Sequence, residues 1–394
     1  MLEKKDIVFV MKVMLGGGAE RVITVLCGAF AEKGYNVTLV VTHQHRTDAV
    51  LTGLDGRVET VFLEDITQRL NSGKLSAKLY SAKSKLANDA DAAAILKYRS
   101  RNEGRINALK EVFLRHKGCT AIAFLNDPVF LTLLASPGVC GKVIISERGD
   151  PEQYRENKTT MAFIRREYKK ADCMVCQSFD ARDWYKNNSD VRTEVIFNPV
   201  KSGLPEPFSG EREKKIVNFC RISDQKNLLL LMEAFRMLTA DFPEYELYIY
   251  GNAVGNGAAG YLEKVSAFAQ NSGVGEKIHI LPGRSDIHTV IRGYSMFVSS
   301  SDFEGMSNSM LEAMATGLPT VCTDCPAGGA KAVIKDHENG LLVPVGDAER
   351  LAAAMKEVIE SPELAEKLSA GGVKIKEELS AEKTAERWEK LISG

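Results

Sequence analysis

The sequence predicts an α/β protein built as two doubly wound, parallel-sheet domains facing a central cleft. Three observations carry this. Apolar runs of strand length alternate with helix-period segments throughout the chain, and the first run opens into a glycine loop that starts a helix. A Pro- and Gly-rich stretch, Asn198-Pro-Val-Lys-Ser-Gly-Leu-Pro-Glu-Pro-Phe-Ser-Gly210, then separates one such series from a second. A chain of 394 residues suits two domains of similar size, and 44% apolar residues excludes a disordered or fibrous protein.

In order along the chain, Ile7–Met14 reads as the first strand, followed by Gly16-Gly17-Gly18 and a helix from about Ala19 to Lys33. Gly34 stops that helix and Asn36-Val-Thr-Leu-Val-Val-Thr begins the second strand. Further strands are expected at Ala121–Leu125, Lys142–Ser146, Met174–Gln177 and Glu194–Phe197. The second series comprises strands starting at Ile216, Glu246, Lys277, Met296 and Thr320, each separated by a helical pattern. The expected divisions are residues 1–200, residues 201–375, and a C-terminal helix in 376–394, carrying Trp388, that returns to the first domain. Open parallel sheets bind ligands beyond the C-terminal ends of their strands, so the loops there are the places to look.

Segment 68–117 stands apart, with 12 Lys and Arg against 4 Asp and Glu in a chain whose net charge is −1. It reads as a pair of helices covering one sheet face, or as a cationic surface for an anionic membrane or a phosphate-bearing acceptor. The near-neutral total gives no argument for nucleic acid. No signal peptide is evident, and no apolar run reaches the roughly 18–20 residues of a membrane span. A cytoplasmic protein is expected, peripheral at the inner membrane face if the basic segment binds there. The eight cysteines are expected as free thiols. Cys173-Met-Val-Cys176 and Cys322-Thr-Asp-Cys325 have metal-like spacing but strand context, so they are read as small buried residues with no metal site. Asp89-Ala-Asp91 lies in an Ala-rich helical run and is read as surface charge.

Three stretches are suited to chemistry. Gly17 and Gly18 allow close backbone approach of a ligand at a helix N-terminus. A dinucleotide fingerprint is missing, because Arg21 stands where a third glycine belongs and no acidic residue closes the next strand. Arg221 and Lys226 lie in the loop after the first strand of the second series, five residues apart, where a planar fork and a mobile point charge suit a diphosphate. In Phe303-Glu304-Gly-Met-Ser-Asn-Ser-Met-Leu-Glu312, Glu304 is expected in a loop. A helix begins near Ser307 or Asn308 and carries Glu312 in its first turns. The two are then a loop carboxylate and a helix carboxylate, either flanking amides of Gly305, Met306 and Ser307 that face a phosphate or sugar oxygen, or two unrelated surface charges.

Glu304-x7-Glu312 is followed by Ala-Met-Ala-Thr-Gly-Leu-Pro-Thr-Val, Asp-Cys-Pro-Ala-Gly-Gly-Ala and Glu-Asn-Gly-Leu-Leu-Val-Pro. Together with Gly-Gly-Ala-Glu-Arg near the start, Arg221…Lys226 and Pro282-Gly-Arg-Ser-Asp-Ile, these resemble the retaining glycosyltransferases of family 4, of two Rossmann-like domains in the GT-B fold. The resemblance spans nearly the whole chain and is most specific over 300–344. It implies transfer of a hexose or N-acetylhexosamine from a UDP-sugar to a glycan acceptor, lipid-linked, in surface-polysaccharide assembly. Neither a cofactor nor a metal is implied. Glu312 would bind the ribose, Arg221 and Lys226 the diphosphate, and Glu304 the donor sugar. Gly305, Met306, Ser307 and Asn308, with Gly17, Gly18 and Arg284, would complete the donor site. Many relatives carry His where this chain has Arg148, in Ser-Glu-Arg148-Gly-Asp150-Pro. That variant resembles a UDP-sugar subgroup, with Arg148 and Asp150 as contacts to an acceptor or a phosphate. A UDP-sugar epimerase of the same architecture and a non-catalytic donor-binding subunit are the competing readings.

Overall fold

The computed structural model describes residues 6–46, 51, 53–70, 74–255 and 257–394. The chain divides into two compact units, Met1–Pro199 with Ala381–Gly394, and Val200–Ser380. The expected break between 375 and 376 therefore lies five residues later.

The first unit holds a seven-stranded sheet of β1 (Asp6–Met11), β2 (Asn36–Val41), β3 (Glu59–Phe62), β4 (Thr120–Phe124), β5 (Lys142–Ser146), β6 (Cys173–Cys176) and β7 (Thr193–Val195). Its spatial order is β3-β2-β1-β4-β5-β6-β7, with every pairing parallel. The second unit repeats the plan with β8 (Glu213–Phe219), β9 (Glu246–Tyr250), β10 (Ile278–Leu281), β11 (Tyr294–Ser299), β12 (Thr320–Thr323) and β13 (Leu341–Val343), ordered β10-β9-β8-β11-β12-β13 and again all parallel. In each sheet the order reverses between two central neighbours, β1 and β4 or β8 and β11. Loops leaving such a pair diverge and open a crevice.

Both sheet faces are covered, which explains why the strands read as continuous apolar runs. In β1, Ile7, Phe9 and Met11 enter one core cluster while Val8 and Val10 enter another, as the two-residue period of a strand requires. Trp388, on the helix Ala381–Ser393, is 1% exposed and stacks on Phe124 at 5.7 Å between ring centroids.

Strands β3 and β13 were not among the expected elements; at four and three residues they are too short to show a period. Segment 68–117 holds two helices, Lys74–Lys85 and Ala90–Arg115, after the end of a preceding one, Leu63–Leu70, and its residues 71–73 lie outside the described ones. Ile95, Ile106 and Leu109 are buried, whereas Leu79 and Leu86 are 53% and 80% exposed. Asp89 caps the long helix by accepting from Ala92 N, and Asp91 takes Arg165 by a two-point ion pair. Among the described residues, no three His, Cys, Asp or Glu side chains converge as metal ligands.

Candidate active site

The geometry of the second unit is set where β8 and β11 part. The loop after β8 carries Arg221, Gln225 and Lys226, and the loop after β11 carries Asp302 and Glu304. The two loops are stitched together. Asn227 adopts a left-handed backbone (φ 39°), a conformation asparagine tolerates. Its Oδ1 caps the next helix by accepting from Leu230 N at 3.2 Å, and its Nδ2 donates to Asp302 Oδ1 at 2.7 Å. Ser300 Oγ donates to the carbonyls of Lys226 and Asn227 at 3.0 and 2.9 Å. Gln225 Nε2 donates to Phe303 O at 2.8 Å, and its own carbonyl accepts from Asp302 N.

This clasp brings Lys226 Nζ into direct contact with Glu304 Oε2, the two side chains being 12% and 19% exposed. Burial alone would lower the Lys226 pKa, but the facing Glu304 carboxylate outweighs it and the ammonium is held above its ordinary value. Arg221 is exposed and makes no ion pair among the described residues. It lines, with Ser223, Gln225, Val254 and Gly255, a cavity of about 300 Å³. The same recess is lined by Asp224 but not by Lys226, so the free guanidinium and the nearly buried ammonium share one short loop rather than one cavity, a cationic pair that suits a polyanion.

The turn from Glu304 to the helix Asn308–Ala315 is fixed from below. Glu304 N donates to Pro326 O at 3.1 Å. A Cβ at Gly329 would stand 1.4 Å from Gly305 O, so only glycine permits this backbone approach. Gly329 belongs to the Asp-Cys-Pro-Ala-Gly-Gly-Ala motif, to which the sequence reading gave no role. Ser307 is the N-cap, accepting from Met310 N at 3.3 Å, while Gly305, Met306 and Ser307 are buried and Asn308 is half-buried.

Glu312, on the second turn of that helix, is 2% exposed and receives a hydrogen bond from His288 Nε2 at 2.8 Å. His288 escaped the sequence reading, although it follows directly on Pro282-Gly-Arg-Ser-Asp-Ile. Arg284 is exposed, and its guanidinium forms a two-point pair with Asp286 at 2.9 and 2.8 Å.

The remaining predicted residues lie in the first unit. Gly17 is the N-cap of the helix Gly18–Glu32, but the adjacent amides are occupied. Leu15 N and Gly17 N both donate to Glu20 Oε2, at 2.6 and 2.7 Å. Arg148 follows β5, lies over the Phe124 ring at 4.2 Å and donates through Nη1 to Asn198 Oδ1 at 3.1 Å. Its buried Nε lacks a partner among the described residues, and burial pushes the guanidinium down to about 9, still protonated at neutral pH. Asp150 caps a short turn by accepting from Glu152 N at 3.1 Å, and burial raises its pKa. Beside them, Glu147 is 3% exposed and accepts from Tyr168 Oη at 2.8 Å; burial pushes its carboxyl up to about 8.

Residues 205–374 match the family model described as glycosyl transferases group 1. An uncharacterized glycosyltransferase of Haemophilus influenzae is 24% identical over 209 residues, 53% of this chain and 56% of that protein. The chain thus spans about half that relative's length. The N-acetylgalactosamine-N,N'-diacetylbacillosaminyl-diphospho-undecaprenol 4-alpha-N-acetylgalactosaminyltransferase of Campylobacter jejuni is 25% identical over 258 residues, 62% of this chain and 68% of that one. A crystal structure of S. aureus TarM, in complex with Fondaparinux, alpha-GlcNAc-glycerol and UDP, superposes with a TM-score of 0.78 at 14% identity, covering 100% of both chains. Residues 205–374 are therefore similar to the glycosyl transferases group 1, within a chain whose two parallel-sheet units have the GT-B fold.

Proposed function

We propose that the protein is a retaining, metal-independent glycosyltransferase of family 4. It moves a hexose or N-acetylhexosamine from a UDP-sugar to a lipid-linked glycan acceptor during surface-polysaccharide assembly. The observation that carries this reading is the contact of Lys226 with Glu304 beside the unpaired Arg221, at the point where β8 and β11 diverge. A diphosphate seated there competes with Glu304 for Lys226. Glu304, released, accepts from hydroxyls of the donor sugar. Lys226 and Arg221 then stabilise the charge that develops on the departing diphosphate as the glycosidic bond breaks, which is where positive charge lowers the barrier most. Glu312 accepts from the ribose hydroxyls, with the turn Gly305–Asn308 between the two carboxylates and Arg284 at the base. Within the first unit, Gly17 and Gly18 are proposed as donor contacts, and Arg148 and Asp150 as contacts to an acceptor or a phosphate. The UDP held by TarM and the diphospho-undecaprenol acceptor named for the Campylobacter enzyme support these choices of donor and acceptor.

The helix Lys74–Lys85 supplies the membrane contact in this reading. Lys78, Lys83 and Lys85 are exposed and form no ion pair among the described residues, and Leu79 is exposed beside them. Cations flanking an apolar side chain suit an anionic lipid surface. By contrast Arg69, Arg99 and Arg105 are paired with Glu111, Glu103 and Glu64. The protein would then work at the cytoplasmic face of the inner membrane.

A donor-hydrolysis screen over UDP-, GDP- and ADP-sugars in the presence of EDTA tests the central claim. The expected result is slow release of free sugar and UDP from one UDP-sugar, undiminished by EDTA. Loss of activity with EDTA would overturn metal independence, and preference for another nucleotide would overturn the UDP assignment. Conversion of the UDP-sugar to an epimer without sugar release would replace the transferase reading by an epimerase.

A further inference from the structure

Glu312 is not a free carboxylate awaiting a ligand. It is 2% exposed, and His288, itself 7% exposed, faces its Oε2 through Nε2 at 2.8 Å. The imidazole is in turn oriented by the end of β8, where the Phe219 ring meets it edge-on at 5.7 Å and 87°. We propose that His288 is a positioning residue for the donor nucleotide, aiming the Glu312 carboxylate at the ribose hydroxyls. This rests on the reading of Glu312 as the ribose acceptor.

The chemistry of the pair supports it. A carboxylate only accepts, so the facing Nε2 carries the proton. Two carboxylate oxygens offer about four lone-pair sites, and a single imidazole N–H takes only one of them. A glutamate has three rotatable bonds, and fixing its terminal plane before the ligand arrives removes an ordering cost that binding would otherwise bear. His288 sits on the short helix Ile287–Val290, one turn after Arg284, while Glu312 comes from the helix after β11. The contact therefore links the segment after β10 to the segment after β11, and Phe219 adds the end of β8. Three strand ends converge on the aim of one carboxylate.

The test is a comparison of nucleotides rather than of rates. Dissociation constants of UDP and of 2′,3′-dideoxy-UDP are measured with the full chain for wild type, Glu312→Ala, His288→Phe and His288→Gln. Wild type should prefer UDP by roughly 30-fold or more, because a site built for hydroxyls is left unpaired by the analogue. Glu312→Ala should erase the preference. His288→Phe should cut it by about tenfold while leaving dideoxy-UDP binding within about twofold, and His288→Gln, whose amide N–H can still donate to Oε2, should restore most of it. Should His288→Phe fail to fold, His288→Asn serves, since its amide is too short to reach Oε2 and should lose the preference that Gln retains.

If Glu312→Ala keeps the preference, or wild type binds no UDP, the ribose reading itself falls. If Glu312→Ala erases it and the His288 variants do not, only the positioning role is overturned. Equal weakening of both nucleotides by His288→Phe would reduce His288 to a structural residue and would also overturn the proposal.

Discussion

Lys226 Nζ and Glu304 Oε2 are in direct contact although 78 residues separate them, and Gln225 Nε2 reaches the same oxygen at 3.4 Å. Lys226→Ala should lower turnover by at least about 100-fold, the scale on which a single group opposing transition-state charge acts. Folding should suffer by only about 1–2 kcal/mol, the cost of leaving a half-buried carboxylate with weaker partners. Steady-state kinetics and urea denaturation of the same sample check both halves. Full activity in the variant would refute the phosphate role.

Gly329 should be as sensitive as a charged residue. Its missing Cβ makes room for Gly305 O, so Gly329→Ala must displace the turn that presents Glu304. Turnover should fall by about 100-fold, the scale on which a misplacement of about 1 Å in a positioning element acts. Gly260→Ala, on the helix Ala258–Asn271 with nothing within 4 Å of the added methyl, should behave as wild type in the same assay.

Glu147 makes the stability of the first unit depend on pH. Burial raises its folded-state pKa to about 8, above the unfolded value, so the folded chain binds the extra proton between those limits. Stability from this group is therefore full in mild acid and is lost as pH rises through about 8, by on the order of a few kcal/mol. Glu147→Gln imitates the protonated form. It should match wild type in thermal melts at pH 5 and exceed it at pH 8.5. Identical melting at both values would mean the carboxyl is not held protonated.

Binding to vesicles should follow charge on the helix Lys74–Lys85. Association should rise with the fraction of anionic lipid and fall with salt. Replacing Lys78, Lys83 and Lys85 by Gln should weaken it by about 100-fold, at roughly 1 kcal/mol for each lysine near the surface. Flotation with and without anionic lipid measures this, and unchanged binding of the triple variant would remove the basic helix from the membrane reading.

How much was legible depended on the length of the signal. Strands β1, β4, β5, β8 and β11 showed as long apolar runs because both sheet faces are covered. β3 and β13, short and at the sheet edges, carried no readable period. Glu304, Lys226 and Glu312 were picked out by spacing and motif. Their joining was not visible, since it depends on the left-handed Asn227 and on hydrogen bonds from Gln225 and Ser300. His288 adjoins a recognised motif, but nothing in the sequence pairs it with Glu312, which lies 24 residues away. The occupation of the glycine-loop amides by Glu20 was likewise invisible. A carboxylate three residues along a helix reads the same whether it caps its own N-terminus or faces a ligand.

The placement of Trp388 has a consequence for biosynthesis. The indole that stacks on Phe124 is translated only after the whole of Val200–Ser380, yet it belongs to the core of the first unit. During translation the second unit, continuous from Val200 to Ser380, is complete before the first. The first sheet waits, with part of its apolar face uncovered, until the helix Ala381–Ser393 emerges. A stop codon ahead of Trp388 would therefore injure the unit whose synthesis began first.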